Sequence, residues 1–372
     1  MTSNQHPTFF LVAGEESGDI HGAKLMENIS AQCPGAAFIG HGGDKMKAAG
    51  LDIMEHVDDL AMMGFTEVIK HLPYMLNVMG QTLGKIREVR PDRLILIDYP
   101  GFNLRLGKNI HPLGIPITYF ILPQVWAWKE KRVKTIKRCV DQALCIFPFE
   151  QPWFEERGVN AHFVGHPFTE LSHPSKTRDE FFRHHGLDQQ KPTLVLFPGS
   201  RQQEVDNHLP IFEKTVSLMN KELQVIVGKA PQVNLGNIPE QWAVEEKDTS
   251  LCLEYGTAVL TSSGTATLQS AVQDIPAVVS YKMSAGSWLL AKNLSKVPYA
   301  AMTNLIAGKK VVPEFLQNDM IPENLSNGVQ PLLTDTPERK SMLLGYEEVR
   351  RTLGMPGAYE RAAEAILSRT RI

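Results

Sequence analysis

The chain has 372 residues, 43% of them hydrophobic and 21% charged, a composition for soluble globular structure and a length that suggests two domains. Its net charge of −3 gives no general affinity for nucleic acid, and no run of about 18 apolar residues is present to span a bilayer, so any membrane role is expected to be peripheral. Cys33, Cys139, Cys145 and Cys252 are far apart and form no CxxC pair, which fits a reducing cytosol and argues against a cysteine zinc site or a disulfide frame.

The first residues, MTSNQHPTFFLVAGE, lack the basic region and apolar stretch of a signal peptide, so a cytoplasmic location is expected. Short apolar runs then recur: FFLVAG (9–14), AAFIG (36–40), LILID (94–98), ITYFIL (117–122) and ALCIF (143–147). Their length and their β-branched and aromatic content predict buried strands. Between them lie helical patterns. Ala23, Leu25, Met26 and Ile29 share one stripe, and Val133, Ile136 and Val140 share another. The second half restarts the alternation with TLVLFPGS (193–200), LQVIVG (223–228), AVLTSS (258–263) and AVVSYKM (277–283). The class is therefore α/β, with two doubly wound Rossmann-like domains that face a cleft. The Gly- and Pro-punctuated stretch FVGHPF (163–168) marks the boundary. Residues 1–167 form the first domain, 168–354 the second, and the final helix, 355–372, is expected to complete the first.

Open α/β sheets bind ligands at the carboxyl ends of their strands. Four strand-end loops stand out there. VAGEESGDIHGA (12–23) offers Glu15, Glu16, Ser17 and Asp19; Ser17 or Asp19 could cap a helix that starts near His21, and for Asp19 the cap is the favoured reading. The loop has no GxGxxG or GKS/T, so neither dinucleotide nor P-loop binding is supported. ILIDYPGFNLRL (95–106) places Asp98 at the end of an apolar strand, where position alone supports a turn acid and a working carboxylate equally. As a base it could take a proton from a hydroxyl. LFPGSRQQEVDNH (196–208) brings Ser200 and Arg201 to a helix start, so amides and a guanidinium could bind phosphate together. AVLTSSGTATLQ (258–269) adds Ser263, Gly264 and Thr265 at a second helix start in the same domain. A carboxylate in one domain and two phosphate-friendly loops in the other fit a transferase with a nucleoside diphosphate leaving group. No DxD-like pair of acids is placed to hold a metal with it, and the 12 histidines show no HExxH or other ligand spacing. No metal and no cofactor is expected, and Arg201 with the helix dipole would stabilise the departing charge.

With these motifs in place, the chain resembles the bacterial lipid-A-disaccharide synthase family, GT-B glycosyltransferases of family 19. The resemblance rests on GEESGDIHGA (14–23), FIGHGGDKMKAAG (38–50), AMMGFTEV (61–68), IDYPGFN (97–103), PQVWAWKEKRVKTI (123–136), FPFE (147–150), FVGHP (163–167), PGSRQQEV (198–205), SSGTATLQ (262–269), YKM (281–283), NLIAGKKVVPEFLQ (304–317) and GMPGAYERAA (354–363). It implies a hexosyltransferase that passes the sugar of UDP-2,3-diacylglucosamine to the 6-hydroxyl of 2,3-diacylglucosamine 1-phosphate with inversion, in lipid A biosynthesis. It implies Asp98 as general base, Arg201 and Ser200 at the diphosphate, and Ser263, Gly264, Thr265, Gln269, Asn304, Glu314 and Gln317 around the donor. Glu15, Ser17 and Asp19 would face the acceptor or the cleft floor. Three residues depart from the family pattern: Gln269 stands where an acid is usual, Leu122 where a serine is common, and His41 among the glycines of FIGHGGD.

The acylated substrates imply a peripheral place at the inner face of the inner membrane of a Gram-negative bacterium. WAWKEKRVKTIKR (126–138) carries six basic residues, one acid and two tryptophans. A solvated helix face is the ordinary explanation of such a run. Beside Trp126 and Trp128, the residues Lys131 and Arg132 favour contact with phosphate or anionic lipid. MMGFTEVIKHLPYMLNVMG (62–80) reads equally as helix core and as a surface for acyl chains. A homodimer is left open. The alternative activity is a UDP-sugar 2-epimerase, which uses the same fold without an acceptor; a non-catalytic UDP-sugar sensor is a third.

Overall fold

Each apolar run in the sequence lies in one of two parallel sheets in the computed structural model. It describes residues 6–61, 68–170, 174–219, 222–262, 264–284, 288 and 297–370, with backbone alone at 61, 68–72 and 265. The first sheet contains β1 (Thr8–Val12), β2 (Ala37–Gly42), β3 (Leu51–His56), β4 (Arg93–Ile97), β5 (Ile117–Phe120), β6 (Gln142–Cys145) and β7 (Ala161–Phe163), in the order β3-β2-β1-β4-β5-β6-β7. The second contains β8 (Thr193–Phe197), β9 (Gln224–Gly228), β10 (Ala243–Glu245), β11 (Ala258–Thr261), β12 (Ala277–Tyr281) and β13 (Glu314–Leu316), in the order β10-β9-β8-β11-β12-β13. The central strands are buried along their length because helices cover both faces of each sheet.

Strand order reverses once in each sheet. In the first, β1 has β2 on one side and β4 on the other; in the second, β8 lies between β9 and β11. A crevice opens at the carboxyl ends of strands where the order reverses. The loops after β1, β4, β8 and β11 flank these two points, and they are the loops that carry Glu15, Asp98, Arg201 and Gly264.

The chain divides into two compact units, residues 1–170 with 353–372 and residues 171–352. In the first, the helix Ala358–Leu367 packs on the helix Glu16–Gln32. Its first amides, of Ala358 and Tyr359, donate to the Glu170 carboxylate, and Tyr359 Oη lies 2.8 Å from His21 Nδ1. At its far end, the buried Arg93 guanidinium donates to Thr370 Oγ1 at 3.0 Å, to Thr118 Oγ1 at 3.1 Å and to the Arg369 carbonyl. Gln142 Nε2 donates to the Ala365 carbonyl at 2.6 Å. Phe10, Leu94, Leu96, Tyr119, Ile136 and Phe154 lie in the core of this unit.

The structure changes three local expectations. The first helix starts at Glu16, not near His21, and its first turn carries Glu16 and Asp19. Acidic residues are favoured there by the helix dipole. Asp19 does not cap this helix. Its buried carboxylate accepts from the amides of Gly43 (2.6 Å), Met46 (2.9 Å) and Lys45 (3.0 Å), and so caps the neighbouring helix Asp44–Ala48. The basic run is not one helix face. Lys129 is left-handed at φ 56°, a 3₁₀ turn spans Glu130–Arg132, and the helix Val133–Cys139 follows. Of the stretch 62–80, residues 62–67 lie outside the described residues; the rest enters the helix Val68–Val89, where Val78 is buried and Met75 and Met79 pack on the core. Among the described residues no helix is long and apolar enough to cross a membrane.

Candidate active site

In the first unit, β4 ends in a Pro-initiated turn whose backbone is unusual. Asp98 (φ 41°) and Tyr99 (φ 48°) are successive left-handed residues, a conformation costly for side chains larger than glycine. Local bonds hold it. Asn103 Nδ2 donates to the carbonyls of Asp98 (2.8 Å), Ile97 (3.2 Å) and Val12 (3.3 Å). Tyr119 Oη donates to the same Asp98 carbonyl at 2.5 Å. From β1, Gly14 packs on the Tyr99 ring; a Cβ there would come within 2.2 Å of Tyr99 Cδ1, so glycine is needed for the two loops to meet.

The Asp98 carboxyl is pushed up from its ordinary 3.8 to about 6, first by burial and then by the Glu15 carboxylate, against a backbone hydrogen bond that lowers it. A carboxylate of that basicity is still ionised at neutral pH, yet accepts a proton more readily than a solvated aspartate. Glu15 and Ser17 are exposed beside it. Asp19 is committed to the three amides it caps, so its place is structural.

Trp126 corrects the surface expectation. Its ring is 7% exposed and its Nε1–H donates to Glu150 Oε1 at 2.9 Å. A buried indole needs an acceptor for its N–H, and Glu150, itself fully buried, supplies one while its other oxygen accepts the Phe147 amide at 3.2 Å. Burial pushes the Glu150 carboxyl up to about 7. Trp128, by contrast, is 47% exposed, with Lys129 Nζ 4.0 Å from its ring centroid.

In the second unit, the loop after β8 differs from an open helix start. Glu204 Oε2 accepts the amides of Ser200 (3.0 Å) and Arg201 (3.4 Å), and Tyr281 Oη donates to Glu204 Oε1 at 2.9 Å. Two amides of this loop, those of Ser200 and Arg201, are thus occupied by an internal carboxylate. Ser200 is not the N-cap of the helix Gln202–Ser217; Arg201 is. The exposed Arg201 residue and the Gln202 and Gln203 amides, which have no acceptor among the described residues, remain for an anion. His208, fully buried, ties this loop to the one after β12: Nδ1 lies 2.7 Å from the Pro198 carbonyl and Nε2 lies 3.1 Å from the Lys282 amide. Nδ1 donates to that carbonyl, whereas Nε2 lies 3.1 Å from both the amide and the carbonyl of Lys282.

The loop after β11 stays open. Gly264, at φ 87°, is exposed, and a Cβ added to it would meet nothing within 4 Å. The helix Thr265–Val272 begins there, and the Ala266 amide has no protein acceptor among the described residues. Ser263 lies outside the described residues, and Thr265 is described by its backbone. Gln269 is half-buried, and its side-chain amide makes no hydrogen bond among the described residues.

Asn304, Glu314 and Gln317 each hold neighbouring segments of the unit. Fully buried Asn304 makes four bonds: Nδ2 to the Val312 carbonyl (2.9 Å) and to Glu314 Oε1 (2.8 Å), and Oδ1 from the amides of Val311 (2.7 Å) and Val312 (2.9 Å). Its amide has no capacity left for a ligand. Glu314 caps the helix Met302–Ala307 through the amides of Ala300 (3.0 Å) and Ala301 (2.9 Å). Gln317 pairs with both backbone groups of Met283 at 3.2 Å. Sequence reading missed Asn103, Tyr119, Glu150, Glu204, His208 and Tyr281. Only Glu204 had a local signal, an acid at the third position of a helix; Tyr119, His208 and Tyr281 reach segments distant in sequence, and Asn103 and Glu150 bond both near and distant ones.

A family model for lipid-A-disaccharide synthetase matches residues 9–367. The lipid-A-disaccharide synthase of Acidobacterium capsulatum is 37% identical over 95% of this chain and 93% of its own length. That of Myxococcus xanthus is 36% identical over 97% of both. Among solved structures, the calicheamicin glycosyltransferase CalG4 matches with a TM-score of 0.61 at 15% identity, covering 99% of this chain and 100% of that one. A putative UDP-N-acetylglucosamine 2-epimerase from Listeria monocytogenes matches with a TM-score of 0.67 at 12% identity, covering 98% and 96%. At those identities the structures speak for the fold, which is GT-B.

Proposed function

The chain belongs to the lipid-A-disaccharide synthetase family, and from that premise we propose that it transfers the sugar of UDP-2,3-diacylglucosamine to the 6-hydroxyl of 2,3-diacylglucosamine 1-phosphate. Asp98 takes the hydroxyl proton as the acceptor oxygen bonds to the anomeric carbon. The bond from that carbon to the diphosphate breaks, its electron pair leaves with UDP, and configuration inverts in one displacement. The observation that carries this reading is the Asp98 carboxyl, raised to about 6 at the carboxyl end of β4. Arg201 pairs with the departing diphosphate, and the Gly264–Ala266 backbone lies open for a nucleotide to approach. Trp128 and Lys131, both exposed, would meet an anionic membrane surface; Lys131→Glu that sediments with anionic vesicles as the wild type does would remove that contact.

The test is product analysis with both acylated substrates. Disaccharide phosphate and UDP should appear only when the acceptor is present. Donor epimerised at carbon 2 without acceptor would favour the epimerase that shares the fold. Asp98→Asn should lower turnover by about a hundredfold or more while UDP binding is kept; full activity would remove Asp98 as the base.

A further inference from the structure

The loop that leaves β5 carries Lys129, Lys131 and Arg132. Buried Trp126 anchors one end through Glu150, and buried Val133 anchors the other. Between them the Arg132 amide donates to the Lys129 carbonyl at 2.9 Å, closing a 3₁₀ turn. That bond holds the two residues side by side, with Lys129 left-handed at φ 56°, and the Arg132 charge is felt at the Lys129 ammonium. The acid between them is drawn elsewhere: Glu130 Oε1 accepts from Arg157 Nε at 3.0 Å, and Arg157 stacks on Trp153 at 3.8 Å. Arg132 is half-buried, and its guanidinium makes no ion pair or hydrogen bond among the described residues. Burial and the Arg132 charge together hold the Lys129 ammonium below its ordinary range. Both Arg132 and Asp98 act electrostatically on the Tyr119 hydroxyl, which donates to the Asp98 carbonyl at 2.5 Å. The cationic pair therefore stands at the same end of the sheet as the carboxylate.

Two like charges held near one another, with the guanidinium half-buried, are unfavourable unless an anion joins them. A guanidinium fork and an ammonium point charge suit the three oxygens of a phosphomonoester. We propose that Lys129 and Arg132 form a phosphomonoester subsite that holds the 1-phosphate of the acceptor while Asp98 takes the proton from its hydroxyl. The subsite rests on the reaction proposed above and adds a specificity device to it. Donor and acceptor share the same diacylglucosamine body, and only the acceptor carries a phosphomonoester. A monoester subsite thus distinguishes the two substrates.

The test is Lys129→Gln with Arg132→Gln, assayed in neutral detergent micelles against acceptors with and without the 1-phosphate. KM for the phosphorylated acceptor should rise roughly ten- to a hundredfold, as expected for lost bonds to a charged group. KM for the unphosphorylated acceptor and for the donor should move less than about twofold, and Arg132→Lys should recover part of the loss. Glucosamine 1-phosphate, titrated by calorimetry, should bind the wild type and not the double variant. An unchanged acceptor KM would overturn the subsite, as would an equal rise for both acceptors. Loss of sedimentation with phosphatidylglycerol vesicles at unchanged acceptor KM would also overturn it and would assign the charges to lipid headgroups. If the wild type makes no disaccharide, the reaction reading fails, and the glucosamine 1-phosphate titration still decides the subsite.

Discussion

Asp98 combines two unfavourable conditions, a left-handed backbone, which Asn103 and Tyr119 hold, and a partly desolvated charge, which its surroundings leave uncompensated. Because folding raises its carboxyl from 3.8 to about 6, the native state binds that proton more tightly than the unfolded chain does. The sign follows: this group's contribution is fully present below pH 3.8, is lost as pH rises to about 6, and stays lost above it. Asp98→Asn carries no charge to desolvate and keeps the backbone bonds from Asn103 and Tyr119. It should therefore be more stable than the wild type by about 1–3 kcal/mol at pH 7.5, with the difference vanishing near pH 4. Urea melts at the two pH values measure this, and an equal gain at both would mean that charge is not the cause. In the wild type, kcat/KM should rise with pH through about 6 as the base ionises. Gln269 tests another residue: its side-chain amide has no partner among the described residues, so Gln269→Glu should keep or tighten UDP binding, by a charge-assisted bond to the ribose. A large loss of affinity by calorimetry would show that the ribose is held another way.

Among the secondary elements, the strands that escaped sequence reading share one property. β3, β7, β10 and β13 are the edge strands of their sheets. An edge strand is covered less completely, so it need not be a continuous apolar run; LDIMEH, AHF, AVE and EFL mix polar and apolar residues and are short. The central strands were legible because burial on both faces demands uninterrupted apolar residues. Helix starts were harder to place. Glu16 and Gln202 begin helices whose first turns are read by acids at positions set in space, as Glu204 shows by closing on the loop before it. Gly199 is wedged into that closure at φ 143°, and a Cβ there would stand 2.4 Å from Glu204 Cβ. Gly199→Ala should cost on the order of 2 kcal/mol in a thermal melt and should weaken UDP binding, because the loop carrying Arg201 must shift. A variant with wild-type melting and wild-type UDP affinity would show that the loop adapts freely.

For the whole molecule, the two units differ in how the chain builds them. Residues 171–352 are contiguous, whereas 1–170 depend on 353–372. The returning helix covers Glu16–Gln32, and its end supplies two of the three partners of buried Arg93. Without it that guanidinium would be left largely unpaired, a costly state for a buried charge. The segment 171–352 should therefore melt cooperatively alone and bind UDP. Residues 1–170 should fail to fold, and a linker joining them to 353–372 should restore a cooperative melt. Cooperative melting of 1–170 without the helix would show that the docking is dispensable.

The sequence by itself determined the class, the central strands and the four strand-end loops, because these depend on local apolar runs and on turn residues that mark a chain reversal. Its motifs also identified the family to which the comparisons assign the chain. Only the tertiary structure decided what the loop residues do. Asp19 and Asn304 brace neighbouring segments, Trp126 turns inward to Glu150, and Glu204 takes two amides of a loop expected to receive phosphate. The reason is physical: whether a polar group is free for a ligand depends on which partners other segments bring to it. Those partners come from far along the chain, and local spacing does not record them.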